Sequence, residues 1–152
     1  MKPGSAAPKF NLPALGGGKK SLDEILAKGA VLLVFFKIAC PTCQFTLPFL
    51  ERMKTGKLQL VAVSQDDAES TGEFQVSFRI SLETLLDSED DGYPVSNAYR
   101  ITHVPTMFVV EKDGTIGEVI QGFVKRQIEA LGFRCGIAPF TPGDYLPEWK
   151  AG

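Results

Sequence analysis

The chain has 152 residues, of which 44% are hydrophobic and 22% are charged, and its formal net charge is −2. This composition is typical of a single soluble domain, and it excludes both a disordered chain and a small scaffold held together by disulfides. The longest apolar run, residues 30–36, is too short to cross a bilayer. No basic patch indicates nucleic-acid binding. We therefore expect one domain over residues 1–152, with neither a membrane segment nor a nucleic-acid partner.

The N-terminal part of the chain predicts an arm, a short helix and a buried strand. Residues 1–20 are rich in Pro and Gly and predict an extended arm. Ser21 and Glu24 have the spacing of a capping box, which predicts a short helix as far as Lys28. The apolar run Val31–Phe36 predicts a strand that is buried on both faces.

The middle of the chain alternates between helix and strand patterns. A helix begins at the cysteine pair and is expected to end at about Thr55, because Gly56 follows. Beyond this helix the pattern predicts the strand Leu58–Val63, the helix Ala68–Phe78, the short strand Leu82–Leu86, the short helix Pro94–Tyr99 and the strand Met107–Val110.

The last predicted elements are a hairpin, a helix and a tail. Asp113-Gly114 predicts a tight turn into a strand over Ile116–Ile120. The helix that follows is expected to end at Gly132. Residues 134–152 form a Pro- and Gly-rich tail, whose aromatic side chains predict that it packs back on the domain. This order of elements predicts an α/β fold built on a mixed sheet.

The four residues Cys40-Pro41-Thr42-Cys43 stand where the buried strand meets a helix. Pro41 suits the first helical position, which makes Cys40 the N-cap. The sulfur of Cys40 would then lie among unpaired backbone N–H groups at the positive end of the helix dipole, and both stabilise a thiolate. Cys43 falls one turn inside the helix, within reach of a disulfide. The geometry therefore predicts Cys40 as the nucleophile and Cys43 as the resolving thiol.

A bare Cys-x-x-Cys pair is also compatible with two buried structural residues or with half of a zinc site. The composition permits a ligand set of Cys40, Cys43, Cys135 and His103. However, the chain has no second closely spaced pair of ligands, and a buried six-residue strand does not fit a zinc ribbon. We therefore predict a redox pair without a metal, and Cys135 as a spare thiol.

These features together resemble the thioredoxin superfamily, and more narrowly its TlpA/ResA-like and redoxin (AhpC/TSA-related) members, over most of the chain. Pro48 lies where thioredoxins have a helix-kinking proline, and Val104-Pro105-Thr106 precedes an apolar strand as the family's cis-proline loop does. Residues 63–102 resemble the extra βα insertion of these branches. The resemblance implies a three-layer α/β/α sandwich with a central mixed sheet and that insertion.

The resemblance also implies which residues react and which bind. Cys40 and Cys43 would be the catalytic pair. A cis bond before Pro105 would let the backbone of Val104 face the sulfurs and pair with an extended peptide. The residues implied to bind substrate are Pro41, Thr42, Val104, Pro105 and Thr106.

Three positions depart from the thioredoxin pattern. Val34 stands where many thioredoxins have a buried acid, Ala39 where Trp is common, and His103 where Gly is common. Lys37 is a candidate cation that would favour the thiolate of Cys40, and His103 is a second candidate for modulating it. The simpler interpretation is that both are solvent-exposed loop residues.

We expect a thiol–disulfide oxidoreductase that exchanges disulfides with protein or small-molecule disulfide and dithiol partners and needs no cofactor. Two alternatives stay open, namely a peroxiredoxin-like thiol peroxidase and a non-catalytic binding module that kept the fold. When the peroxiredoxin pattern P-x-x-x-T-x-x-C is aligned on Cys43, Phe36 replaces its proline and Cys40 its threonine, which disfavours the peroxidase. The intact cysteine pair disfavours the binding module.

The start of the chain bears on where the protein works. Residues 1–8 contain no apolar segment of a secretory signal. The expected location is the cytoplasm if the chain is complete, and the periplasm or another extracytoplasmic site if a signal or anchor has been removed.

Overall fold

The computed structural model describes all residues, 1–152. In chain order its strands are β1 (Asn11–Pro13), β2 (Lys19–Ser21), β3 (Val31–Phe36), β4 (Gln59–Ser64), β5 (Glu83–Leu86), β6 (Thr106–Val110), β7 (Ile116–Gln121), β8 (Phe123–Val124) and β9 (Trp149–Lys150). Its helices are α1 (Leu22–Ala27), α2 (Pro41–Glu51), α3 (Ala68–Phe78), α4 (Pro94–Ala98) and α5 (Lys125–Cys135), with one 3₁₀ turn at Glu89–Asp91. None of these helices combines the length and apolar character that crossing a membrane requires.

Five strands form the central sheet, in the spatial order β5-β4-β3-β6-β7. Strand β4 runs parallel to both β3 and β5, whereas β6 is antiparallel to both β3 and β7. Helices cover this sheet, so the predicted α/β fold with a mixed sheet is confirmed.

Strand β3 lies in the middle of the sheet, and all six of its residues are buried. Its even-numbered residues pack into one core together with side chains of α2, α3 and α5. Its odd-numbered residues point to the opposite face and pack with side chains of α1 and α4. Because both faces are covered by helices, β3 is apolar throughout instead of alternating between apolar and polar residues.

The predicted capping box is present at the start of α1. Ser21 Oγ accepts a hydrogen bond from the Glu24 N–H at 3.1 Å, and Glu24 Oε1 accepts one from the Ser21 N–H at 3.2 Å. The segment before α1 is more ordered than the predicted arm, because β1 and β2 pair as a small antiparallel hairpin. Each of these strands has only three residues, and three consecutive glycines separate them, so no periodicity could reveal them.

The helix that follows the cysteine pair is shorter than predicted. It ends at Glu51 and not near Thr55, and the next residues form tight turns. Gly56 does not end the helix. A Cβ atom at Gly56 would lie 2.6 Å from the carbonyl oxygen of Cys135, so glycine is required there by the close approach of two backbones.

Gly132 was also expected to end a helix, and this prediction is wrong. Helix α5 passes through Gly132, continues to Cys135, and is capped by Gly136 in the left-handed conformation, with φ 77°. A Cβ atom at Gly132 would lie 2.6 Å from Pro139 Cδ. Glycine therefore allows the tail to turn back against the last turn of α5.

The tail lies against α2. The ring of Phe140 is 5.1 Å from the ring of Phe49 and 5.8 Å from that of Phe123. The guanidinium of Arg52 donates a hydrogen bond to Asp144 Oδ2 at 2.9 Å. Beyond this ion pair, β9 pairs with β8 in an antiparallel two-stranded ladder. An aromatic cluster and an ion pair therefore fix the tail before it reaches β8.

Two glycine substitutions inside helices should have opposite effects on stability. Gly132→Ala should lower the free energy of unfolding by about 1–3 kcal/mol, because its methyl group overlaps with Pro139. Gly72→Ala, in α3, should raise it by roughly 0.5–1 kcal/mol, because nothing lies within 4 Å of the new methyl group and alanine favours the helix. Urea denaturation measures both changes, and equal stabilisation by the two variants would contradict the packing of the tail on α5.

Candidate active site

The sulfur of Cys40 lies between a helix N-terminus and a loop. Cys40 is the N-cap of α2, with Pro41 in the first helical position, as predicted. Its Sγ accepts a hydrogen bond from the Cys43 N–H at 3.1 Å, and its S–H donates to the carbonyl oxygen of Val104 at 3.2 Å. Cys40 is partly exposed. A thiolate here would be stabilised by the N–H group and by the dipole of α2.

Cys43 lies one turn inside α2 and is fully buried, with 0% exposure. Burial raises the pKa of the Cys43 thiol far above its usual range, and the hydrogen bond with Cys40 raises it further. A hydrogen bond from the backbone of Lys37 acts in the opposite direction without cancelling these effects. Cys43 is therefore a protonated thiol at neutral pH, held behind Cys40.

The loop that carries Cys40 is fixed by side chains from two other elements. The Ile38 N–H donates to Asp66 Oδ2 at 2.8 Å, and the Ile38 carbonyl accepts a hydrogen bond from Gln44 Nε2 at 2.9 Å. Asp66 follows β4, and Gln44 lies in the first turn of α2. Neither residue is among those predicted from the sequence. The one available signal was that Asp66 follows β4, because the carboxyl ends of parallel strands such as β3 and β4 meet at the same edge of a sheet.

The second loop of the site contains the predicted cis-proline. The Val104–Pro105 peptide bond is cis. The loop is anchored at both ends, since Thr106 Oγ1 donates to the His103 carbonyl at 2.7 Å and the Gly122 N–H donates to the Pro105 carbonyl at 2.8 Å. The side chain of Thr106 is buried and holds the loop in shape.

Lys37 and His103 are both exposed and line one small cavity of about 240 Å³, together with Val104 and Tyr93. The Lys37 ammonium lies 5.9 Å from the centre of the Tyr93 ring, and His103 Nδ1 is 3.0 Å from the hydroxyl of the preceding threonine. Neither side chain forms a hydrogen bond with a cysteine. Both therefore flank the site without a hydrogen bond to either sulfur.

Pro41 and Thr42 lie between the two cysteines, with different exposure. Pro41 is exposed, whereas Thr42 is buried. Thr42 Oγ1 donates a hydrogen bond to the carbonyl oxygen of Ala151, in the tail, at 2.5 Å. The tail therefore reaches the helix turn that carries the cysteine pair.

Comparison with known proteins gives the family. A protein-family model described as the AhpC/TSA family matches residues 3–119, which is most of the chain. The chain belongs to the AhpC/TSA family. It is similar to the thiol-disulfide oxidoreductase ResA of Geobacillus kaustophilus (strain HTA426), with 28% identity over 129 residues, or 82% of this chain and 72% of that protein. It is also 28% identical to the thioredoxin-like protein YneN of Bacillus subtilis (strain 168) over 138 residues, or 85% of this chain and 78% of YneN.

Solved structures share the fold of this AhpC/TSA family member. The thioredoxin domain of a thiol-disulfide oxidoreductase from Bacteroides vulgatus has a TM-score of 0.77 at 21% identity, covering 89% of this chain and 99% of that domain. A thiol:disulfide interchange protein DsbE from Chlorobium tepidum has a TM-score of 0.75 at 24% identity, covering 88% of this chain and 95% of that one. The fold is the thioredoxin fold, and the protein is a thioredoxin-like thiol–disulfide oxidoreductase resembling ResA.

One departure from the thioredoxin pattern has a clear structural consequence. Val34, in the place where many thioredoxins have a buried acid, is completely buried in the same apolar core as Cys43. This AhpC/TSA family member therefore has no carboxylate at that place to receive the proton of Cys43.

The four residues considered as zinc ligands do not form one site. The structure has no group of three or more His, Cys, Asp or Glu side chains that could hold a metal ion. Cys135 is buried at the end of α5, where its carbonyl accepts a hydrogen bond from the Lys57 N–H at 2.9 Å. Burial raises the pKa of its thiol.

The three thiols should differ strongly in reactivity. In the reduced native protein, iodoacetamide near neutral pH should alkylate Cys40 well before Cys43 and Cys135. Alkylation needs an accessible thiolate, and the last two thiols are at most 2% exposed with a raised pKa. Quenched time points followed by peptide mass spectrometry measure the order. In urea all three should react together, and fast labelling of Cys43 in the native protein would contradict its placement.

Proposed function

We propose that Cys40 and Cys43 form a redox-active dithiol through which the protein exchanges disulfides with polypeptide substrates. The observation that supports this most directly is the position of Cys40 Sγ, between the Cys43 N–H and the Val104 carbonyl, with the Cys43 thiol buried one turn behind it. One thiol is open to a substrate, and the other is buried next to it, where it can attack its neighbour.

The first step is attack by the Cys40 thiolate on one sulfur of a substrate disulfide. A bond forms between Cys40 Sγ and that sulfur, the substrate S–S bond breaks, and the second substrate sulfur leaves as a thiolate. The product is a mixed disulfide between protein and substrate. The Cys43 N–H, which bonds to Cys40 Sγ at 3.1 Å, stabilises the negative charge before the attack.

The second step is attack by Cys43 on Cys40 Sγ. Cys43 loses its proton to the thiolate released in the first step, the mixed disulfide breaks, and the remaining substrate sulfur leaves as a thiolate that takes a proton from water. The dithiol has lost two electrons and the substrate has gained two. The charge and hydrogen bond of Cys40, which raise the pKa of Cys43, are gone once Cys40 is in a disulfide, so Cys43 becomes a better nucleophile when it is needed.

The loop at Val104 and Pro105 supports a polypeptide as the substrate. The Val104 carbonyl accepts the Cys40 S–H in the reduced protein, so it is free to accept a backbone N–H once that proton has gone. Pro105 has no N–H that could compete for the sulfur. An extended peptide can therefore pair with this loop while its disulfide lies against Cys40.

The two steps need no metal and no organic cofactor. Run in reverse, they oxidise a dithiol to a disulfide. The direction depends on the reduction potential of the Cys40–Cys43 pair relative to that of its partner.

A thiol peroxidase is the second candidate, because the peroxidoxin BcpB of Mycobacterium tuberculosis shares the fold, with a TM-score of 0.69 at 21% identity over 80% of this chain. Aligned on the peroxiredoxin pattern, the attacking thiol would be Cys43. Its burial and raised pKa are the opposite of what a peroxide-reactive thiolate requires. Disulfide exchange is therefore the better-supported activity.

Replacing Cys40 and replacing Cys43 should stop the reaction at different steps. Cys43→Ser should attack a protein disulfide and then accumulate a covalent complex, because the resolving thiol is missing. Cys40→Ser should form no complex, because the remaining thiol is buried. A non-reducing gel after incubation with insulin shows the difference.

Cys135→Ser is the matched control for these variants and should behave like the unchanged protein. Trapping by Cys40→Ser instead of Cys43→Ser would reverse the proposed roles.

The preference for disulfides over peroxide should also be measurable. With dithiothreitol as reductant, the protein should reduce insulin and should consume hydrogen peroxide no faster than its Cys43→Ser variant does. Rapid peroxide consumption that is lost in Cys43→Ser would favour the peroxidase, and the absence of both reactions would favour a binding module.

A further inference from the structure

The last five residues of this sequence lie against the proposed site. Trp149 and Lys150 pair with Val124 and Phe123 in the ladder of β8 and β9, and the Lys125 N–H donates to the Glu148 carbonyl at 3.0 Å. We call residues 148–152 the strap. Because Gly122, just before β8, donates its N–H to the Pro105 carbonyl, this ladder directs the strap to the cis-proline loop.

The strap contacts the residues that would bind a peptide. Thr42 Oγ1 donates to the Ala151 carbonyl at 2.5 Å. The backbone of Gly152 lies so close to Val104 that a Cβ atom there would overlap with the Val104 carbonyl. Gly122 has a φ of 77°, and a Cβ atom on it would lie 2.5 Å from the Lys150 carbonyl. Gly122 and Gly152 therefore allow the backbone of the strap to lie close to the chain before β8 and to the loop at Val104.

We propose that the strap occupies the peptide-binding groove of its own active site, so that polypeptide disulfides reach Cys40 only after the strap has left. The inference rests on the proposed function and adds a gate to it. Thr42 and the loop at Val104 cannot bind the strap and a substrate strand at the same time, so the two compete for one surface.

The strap should exclude polypeptide disulfides but not small ones, because Cys40 stays partly exposed with the strap in place. The cavity of about 240 Å³ beside Val104 is lined by residues that include Lys37, Tyr93 and His103, and no residue of the strap lines it. A small disulfide needs no backbone pairing and can reach the sulfur without displacing the strap.

The strap is held less firmly than the segment before it. Phe140 is fixed in the aromatic cluster, and the Arg52 hydrogen bond holds the pKa of Asp144 at about 2, so that this ion pair persists at any ordinary pH. By contrast, the strap is a two-residue strand, and its Trp149 side chain is 62% exposed. The strap can therefore detach while the rest of the tail stays in place.

The test compares how fast the reduced protein reacts with insulin and with a small disulfide, bis(2-hydroxyethyl) disulfide. Two full-length variants form a matched pair, Gly152→Ala, whose methyl group overlaps with the Val104 carbonyl, and Gly143→Ala, which has open space around it. A third variant ends at Pro147 and lacks the strap.

Loss of the strap should raise the rate with insulin by about tenfold or more, the factor expected when a few hydrogen bonds no longer oppose binding, and should change the rate with the small disulfide by less than about twofold. Gly152→Ala should move the ratio of the two rates in the same direction, and Gly143→Ala should not. An unchanged ratio in Gly152→Ala and in the truncated chain overturns the inference. If the full-length protein reduces neither disulfide, the proposed function fails instead.

A second measurement uses the full-length protein and does not depend on the truncated chain folding. Trp149 is the only tryptophan, so its fluorescence reports the strap alone. When Cys40→Ser protein binds carboxymethylated insulin B chain, detected by calorimetry, the emission should shift towards that of a fully exposed tryptophan. Binding without a shift overturns the inference, whereas no binding counts against polypeptide substrates.

Discussion

The structure of the site depends on one arrangement, the pair of hydrogen bonds around Cys40 Sγ. One comes from the N–H of Cys43 at the start of α2, and the other goes to the carbonyl of Val104 just before β6. The two loops meet because β3 and β6 are antiparallel neighbours, with Phe35 paired to Thr106. The end of β3 therefore lies beside the start of β6, and the register of the central sheet places the sulfur against the carbonyl.

The ends of the neighbouring strands also explain how the backbone of the cysteine loop is hydrogen-bonded. Strand β4 ends there as well, because it is parallel to β3, and the chain after it supplies Asp66 to the Ile38 N–H. A loop that would otherwise expose unpaired backbone groups is tied to α2 on one side and to the end of β4 on the other. The apolar packing of β3 on both faces keeps this scaffold rigid beneath the site.

Local signals in the sequence were enough for the elements that build the scaffold. Strand Val31–Phe36 and helix Ala68–Phe78 have the predicted bounds. The apolar run and the helical repeat that predict them depend only on residues within the element itself. Cys40 as the N-cap and the cis bond before Pro105 were also predicted, the first from the preference of proline for the first helical position and the second from family resemblance.

The contacts between separate segments of the chain could not be predicted from the sequence. A glycine near the end of a pattern usually ends a helix, but here Gly56 is required by the close approach of the Cys135 backbone, and Gly132 by Pro139 and the Ile137 carbonyl in the turn after α5. Asp66 and the strap contact the site across large separations in sequence, and no local pattern records such contacts. The position of the strap against Thr42 and Val104 therefore became visible only in the folded chain.

The position of Cys135 has a consequence for the redox states open to the molecule. Its thiol lies at the end of α5 in the same apolar core as Cys43, with 2% exposure. A chain with three cysteines has three ways to form one disulfide, and the Cys43 N–H, 3.1 Å from Cys40 Sγ, places these two residues next to each other. Because burial protects Cys135 from thiol–disulfide exchange, we expect the proposed Cys40–Cys43 disulfide to be the oxidised form of the protein, with two electrons fewer than the reduced form.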